Sequence, residues 1–163
     1  MKKHKGFTLI ELLIVIGLIA ILAGVVFVSL DPLTRFRDAR NARRSADVAA
    51  ITSALRVNQV DNGGAYLDSV NDLAADGTKS YLIGNCTAGA DATCPLTDTV
   101  YTTQPSCIDL SGLAGYLPIP VSPKIETEWS ADQTGYYLVR KASGAITVGA
   151  CDLEGATRIE TTR

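Results

Sequence analysis

Residues 5–30 read KGFTLIELLIVIGLIAILAGVVFVSL, and the rest of the chain is organised around this stretch. Between Glu11 and Asp31 lie 19 residues, none of them charged. As an α-helix they would extend about 28 Å, close to the thickness of about 30 Å of the hydrocarbon core of a bilayer. The stretch therefore predicts a membrane-spanning helix near the N-terminus.

Three features distinguish this segment from an ordinary secretory signal or anchor. The flank before it is short and basic, with Lys2, Lys3 and Lys5. Glu11 places an ionisable group inside the apolar region, where such groups are costly and usually functional. No small-x-small cleavage site follows the apolar run, as removal by a common signal peptidase would require.

The segment 5–16, KGFTLIELLIVI, resembles the class III signal peptide of type IV pilins and type II secretion pseudopilins. In that family a prepilin peptidase cleaves after the glycine and methylates the new N-terminal residue, and the apolar run becomes the core of a helical filament. The resemblance implies that Gly6 is the cleavage residue and that Phe7 is the N-methylated N-terminus. It implies that Glu11 acts in assembly.

The pattern and the resemblance together predict an α+β, pilin-like fold in which a long N-terminal helix packs on a small antiparallel sheet. We expect a leader at 1–6, a hydrophobic transmembrane or filament-core helix at 7–30, an amphipathic continuation at 31–60 and a globular head at 61–163. Asp31-Pro32 predicts an interruption of the helix, because proline lacks a backbone donor and clashes with the preceding turn.

The second half of the predicted helix carries a stripe of small and apolar residues at helical spacing, from Leu33 and Phe36 through several alanines to Val57 and Val60. Val48, Ile51 and Leu55 widen this stripe. We expect this stripe to pack on the sheet. Five arginines are predicted to lie mostly on the opposite face: Arg35, Arg37, Arg40, Arg43 and Arg44. Lipid headgroups or acidic neighbours in a polymer are favoured as their partners over nucleic acid.

The head is predicted to contain a short helix within 68–76 and strands at 79–83 and 99–103. A hairpin is predicted from 136–141 and 145–151, with the turn at Ala142-Ser143-Gly144. A further edge strand is expected within 156–162.

The four cysteines lie in the part of the chain that we expect outside the cytoplasm. An even number there predicts two disulfides, for which three connectivities exist. We favour Cys86–Cys94, which closes a short loop, and Cys107–Cys151, which ties the last part of the chain to the middle of the head.

No constellation typical of an enzyme is present. The only histidine, His4, lies in the leader, so the mature chain offers no histidine base for a serine or cysteine nucleophile. No cofactor is predicted. Glu126, Glu128 and Asp132 are weak calcium candidates, since major pseudopilins bind calcium in a comparable loop, but Ser122 stands where their motif usually has aspartate.

The interpretation is a non-enzymatic subunit of a type IV pilus-like filament. Its expected partners are identical or homologous pilin subunits, the prepilin peptidase, the pilus assembly platform and, before assembly, membrane lipid. The basic leader and the acidic region 61–163 predict a single-pass precursor in the inner membrane with its C-terminal domain outside. The alternatives are a major pseudopilin of a type II secretion system and a monomeric, membrane-anchored extracellular binding domain.

Overall fold

The computed structural model describes residues 6–86, 94, 100–123, 129–155 and 158–163. The chain forms two compact units, which divide between Arg37 and Asp38. The first unit contains the apolar helix. The second, Asp38–Arg163, contains most of the second helix and the globular part of the chain, and it is called the head from here on. Each is described by itself below.

Two helices occupy the N-terminal third of the chain, α1 at Leu9–Leu30 and α2 at Pro32–Asp61. Asp31 separates them with a left-handed backbone at φ 36° and ψ 72°. Pro32 is the first residue of α2, a position where the missing N–H has no helical partner in any case. The interruption predicted at Asp31-Pro32 is therefore confirmed.

The head contains one five-stranded sheet in the order β2-β1-β3-β4-β5. The strands are β1 Lys79–Leu82, β2 Thr102–Thr103, β3 Tyr136–Arg140, β4 Ile146–Ala150 and β5 Glu160–Thr162. Three neighbouring pairs are antiparallel, whereas β1 and β2 are parallel, so the sheet is mixed. The predicted α+β class is confirmed, with this parallel pair as an addition to the expected antiparallel sheet.

The local predictions for the head agree with the observed elements. The hairpin β3–β4 pairs Tyr136 with Ala150 and Arg140 with Ile146, and Gly144 adopts the left-handed conformation of its turn at φ 81°. β5 is an edge strand, as predicted. A short helix, α3, covers Asp68–Asn71, and a single 3₁₀ turn covers Ser111–Leu113.

Helix α2 packs on the sheet through one edge of the predicted stripe, the residues that widen it. Its buried apolar residues include Val48, Ile51 and Leu55, which join the main core with β3 and β4 residues such as Leu138 and Val148. The alanine-rich centre of the stripe is exposed, at Ala42, Ala46, Ala49, Ser53 and Val57. The prediction is therefore confirmed for Val48, Ile51 and Leu55 and wrong for the alanine-rich centre, because the bulkier side chains bury more apolar area than alanines do.

The opposite face of the sheet forms a second, smaller core around Leu82, Tyr137 and Val139. A Cβ on Gly149 would collide with the ring of Tyr137, so this position in β4 needs glycine. The two cores account for the complete burial of β4, since its alternate residues face opposite layers.

The disulfides join Cys86 to Cys107 and Cys94 to Cys151, with Cα–Cα distances of 5.5 and 5.1 Å. The predicted pairing of Cys86 with Cys94 and of Cys107 with Cys151 is therefore wrong. A bridge between Ile83 and Ile108 brings the end of β1 alongside the segment that contains Cys107. The long-range pairing of the backbone, and not closeness in sequence, determines the partners.

Candidate processing and assembly site

The bond between Gly6 and Phe7 lies just before the first helix. Both residues are outside regular secondary structure and exposed, and the Phe7 side chain is 81% accessible. A Cβ on Gly6 would meet no atom of the described chain within 4 Å. The fold therefore sets no steric requirement for glycine here, and the bond is sterically open to a protease.

Thr8 and Glu11 form a capping box at the start of α1. Glu11 Oε2 accepts a hydrogen bond from the Thr8 backbone N–H at 2.8 Å and another from Thr8 Oγ1 at 2.7 Å. The Glu11 backbone N–H in turn donates to Thr8 Oγ1 at 3.3 Å. This arrangement fixes the first helical turn and orients the carboxylate beside the peptide bond that follows Phe7.

The capping box occupies only one of the two carboxylate oxygens. Among the described residues, none donates a hydrogen bond to Glu11 Oε1. Glu11 is a predicted site residue and Thr8 is not, although the spacing Thr-x-x-Glu before an apolar run is the sequence signal of a capping box. The arrangement leaves one oxygen of Glu11 available for a partner from outside the chain.

The apolar side chains of α1 between Leu9 and Val28 are not covered by any part of the chain that the structure describes. Every residue from Gly6 to Ser29 is exposed, including Ile16 at 64% and Phe27 at 68%. A Cβ on Gly17 or on Gly24 would also meet nothing within 4 Å. Within the described part of the chain, one helix is long and apolar enough to cross a membrane, and it begins at Leu9.

The arginines of α2 do not form one exposed cluster. Arg44 is completely buried, and its guanidinium donates to Ser122 Oγ at 3.1 Å, to Pro123 O at 3.0 Å and to Glu154 Oε1 at 3.0 Å. A further bond reaches Asn41 Oδ1 at 2.9 Å. Arg44 is therefore a structural residue of the head, and its predicted contact with lipid or with another subunit is wrong.

Arg40 completes this arrangement by binding the same Glu154 carboxylate through Nε and Nη2. The hydrogen bonds from Arg40 and then Arg44 hold the pKa of Glu154 below its usual value, against the opposing effect of burial. Arg35, Arg37 and Arg43 stay exposed, with Arg43 only 3.9 Å from Asp47. The sequence offered no local signal for Glu154, which lies 110 residues from Arg44.

The candidate calcium ligands remain a prediction. Glu126 and Glu128 lie outside the described residues, and Asp132 is exposed. Among the residues that the structure describes, no group of three His, Cys, Asp or Glu is placed to hold a metal ion. Ser122, which stands where a pseudopilin calcium motif usually has aspartate, instead accepts the bond from Arg44 Nε.

Comparison with known proteins adds one finding to this geometry. No curated protein and no solved structure matches the chain. Residues 1–27 match the family model described as the prokaryotic N-terminal methylation motif. The chain thus carries at its N-terminus the class III signal peptide of type IV pilins and pseudopilins, with Gly6, Phe7 and Glu11 inside the matched residues.

Proposed function

We propose that this chain is the structural subunit of a type IV pilus-like filament, cleaved after Gly6 and polymerised through α1. The observation that carries the proposal is the exposure of α1 from Leu9 to Ser29, in a segment that matches a processing motif. Full burial of one Leu, Ile or Phe side chain is worth about 1.5–3 kcal/mol, so a helix of such residues requires a cover. Lipid provides it in the precursor, and the α1 helices of neighbouring subunits provide it in the filament.

Cleavage changes the chemistry of the N-terminus in a way that suits assembly. Hydrolysis of the Gly6–Phe7 peptide bond leaves a carboxylate on Gly6 and creates an α-amine on Phe7. The basic leader, with Lys2, Lys3 and Lys5, is removed with Gly6. The mature helix then begins with a positive amine close to the carboxylate of Glu11.

Glu11 gives the polymer a means of setting the axial register. Thr8 occupies Oε2, and Oε1 can accept a hydrogen bond from the Phe7 amine of a neighbouring subunit. In an apolar surrounding, an unpaired amine and an unpaired carboxylate are both costly. Phe7 and Glu11 of one helix are four residues apart and can pair with each other. The pair between neighbouring subunits forms in only one alignment of the two helices, so it selects geometry more than it adds stability.

The partners of the chain follow from this mechanism. They are the prepilin peptidase, further pilin subunits, and the assembly platform that extracts each subunit from the inner membrane. The C-terminal head lies outside the membrane and is displayed on the filament. The chain acts through polymerisation and not as an enzyme.

Protease resistance of α1 outside the membrane tests the proposal. Filaments sheared from cells that express the chain with a prepilin peptidase are digested with proteinase K, beside the same chain as a detergent-solubilised monomer. We expect α1 to survive in the filament and to be cut in the monomer, where only exchanging detergent molecules cover it. A Glu11→Ala chain, which we expect to stay in the membrane fraction, is the control.

Two results would contradict the proposal. Absence of the chain from all sheared material would support a monomeric membrane-anchored domain. Recovery of the subunits only in short, cell-bound assemblies that accompany protein secretion would support a pseudopilin. The second result would be consistent with polymerisation through α1, but it would show that the assembly is not a pilus.

A further inference from the structure

We infer that the head contains a binding site for a small polar organic molecule that bears a phosphate or carboxylate group. The site is a cavity of about 470 Å³ between the end of α2, the segment after it and the β3–β4 turn. This volume falls in the range of about 300–1,000 Å³ that is usual for small-molecule sites. All of its lining residues belong to the head unit.

Three arginines surround the cavity: Arg56 from α2, Arg140 from the end of β3, and Arg163 after β5. Among the described residues that line it, none has a carboxylate side chain. This is unusual for a region whose overall charge is negative, since residues 61–163 contain 13 acidic and six basic side chains. Three like charges around one cavity repel one another, and an anion in the centre would relieve that repulsion.

Arg140 is the best-positioned of the three. Its Nη1 donates to the backbone oxygens of Asn71 at 2.5 Å and Leu73 at 3.2 Å, which fixes the guanidinium in place. Its Nε is buried and, within the described structure, has no hydrogen-bond partner. Nε is therefore closed to a ligand in the cavity, and Arg140 contributes there through its fixed positive charge.

The side chains of Arg56 and Arg163 are exposed, and the structure gives neither of them an acidic partner among the described residues. The planar guanidinium group binds phosphate and carboxylate in bidentate fashion, which makes arginine the preferred residue for such groups. The two exposed arginines would bind the anion directly, and the fixed charge of Arg140 would attract it.

The cavity is larger than a single oxyanion needs, and the rest of its lining is polar. Tyr66, Ser143 and Asn71 are polar members of the lining. Ser143 Oγ accepts from the Ala145 N–H at 3.4 Å, and Asn71 Nδ2 donates to Tyr66 O at 2.8 Å. Such groups bind the hydroxyls of a sugar-like ligand. The class of ligand is therefore a hydroxylated molecule with one oxyanionic group, such as a phosphorylated or carboxylated sugar.

Calorimetric titration of the full chain in nonionic detergent tests the site. The probes are glucose 6-phosphate and glucuronic acid, with glucose and inorganic phosphate as controls for the uncharged ring and the bare ion. We expect both charged sugars to bind more tightly than phosphate, and glucose not to bind. Arg163→Gln and Arg56→Gln change exposed residues, and each should weaken binding by about tenfold or more.

Arg37→Gln is the matched control, because it removes the same charge from an exposed arginine in the other unit. It should leave the affinity for both sugars unchanged. The site is refuted if neither charged sugar binds, if inorganic phosphate binds as tightly as they do, or if Arg37→Gln weakens binding as much as Arg163→Gln. Loss of filament assembly in Arg163→Gln without sugar binding to the wild type would also refute it, and would indicate a carboxylate of a neighbouring subunit as the partner.

Discussion

Arg44 and Glu154 form a buried ion pair, in which Arg44 Nη1 donates to Glu154 Oε1 at 3.0 Å and the two side chains are 0% and 7% exposed. The pair joins the middle of α2 to the segment that follows β4. The remaining donors of Arg44 reach Ser122, Asn41 and the backbone of Pro123, so the guanidinium is bound on all sides. These hydrogen bonds and the ion pair replace the water that the buried guanidinium loses on folding, which allows its charge to lie inside the head.

Removal of one partner from this pair should destabilise the head strongly. Glu154→Ala leaves Arg44 as a buried charge without its counter-ion, and breaking a buried pair in this way costs about 3–5 kcal/mol. Thermal or denaturant unfolding of the detergent-solubilised chain measures the change. Arg43→Gln is the control, because its exposed pair with Asp47 at 3.9 Å should be worth less than about 1 kcal/mol. Equal effects of the two variants would contradict a structural role for the buried pair.

Acid should weaken the same contact. The hydrogen bonds from Arg40 and Arg44 lower the pKa of Glu154 in the folded head, whereas the unfolded chain titrates near the usual value of about 4.3. The stabilisation is therefore fully present above about pH 4.3 and is lost as the pH falls through the folded pKa. Glu154→Gln cannot titrate, so its deficit in melting temperature relative to the wild type should shrink on acidification. A deficit that is constant from pH 7 to pH 3 would contradict this assignment.

The two disulfides should differ in their effect on stability. Cys94–Cys151 spans 57 residues and Cys86–Cys107 spans 21, which in the chain-entropy model gives about 4 and about 3 kcal/mol. We therefore expect Cys94→Ser/Cys151→Ser to lower the stability of the head more than Cys86→Ser/Cys107→Ser does. Peptide mapping of the exported, non-reduced protein should recover these two pairs. Recovery of Cys86 linked to Cys94 would contradict the observed connectivity.

The elements of this fold that depend on neighbouring residues could be predicted from the sequence. The apolar run, the break at Asp31-Pro32 and the β3–β4 hairpin each have their signal within a few residues of where they occur. The parallel pairing of β1 with β2 and the cysteine pairs could not be predicted in this way. They depend on which distant segments meet across the sheet, and the spacing of Cys86 and Cys94 carries no such information.

The functional residues also divide into those that could be predicted from neighbouring sequence and those that could not. Gly6, Phe7 and Glu11 form a contiguous motif, and Thr8 could have been added from its spacing to Glu11. Arg44 was predicted to be exposed, because helical periodicity places arginine on the solvent side of a helix, but it is buried. Only the fold shows that Glu154 compensates its charge from 110 residues away.

Replacement of Glu11 can separate its charge from its role as a helix cap. Glu11→Gln keeps an amide oxygen that can accept the hydrogen bonds from Thr8 N–H and Oγ1, but it removes the negative charge. Thr8→Val removes the hydroxyl of the capping box and keeps the carboxylate, at a cost of about 1 kcal/mol in helix stability. We expect both variants to insert in the membrane and to be cleaved, since neither changes Gly6 or Phe7.

The two variants should then differ in assembly. Because the Phe7 amine of a neighbouring subunit needs a charged partner in an apolar surrounding, Glu11→Gln should yield few or no filaments, whereas Thr8→Val should still assemble. Immunoblots of sheared and membrane fractions measure assembly, and the intact mass confirms loss of residues 1–6 and a gain of about 14 Da from methylation. Normal assembly of Glu11→Gln would reject charge pairing as the origin of the axial register. Failure of Thr8→Val together with success of Glu11→Gln would instead make the capped first turn, and not the charge, the feature that assembly requires.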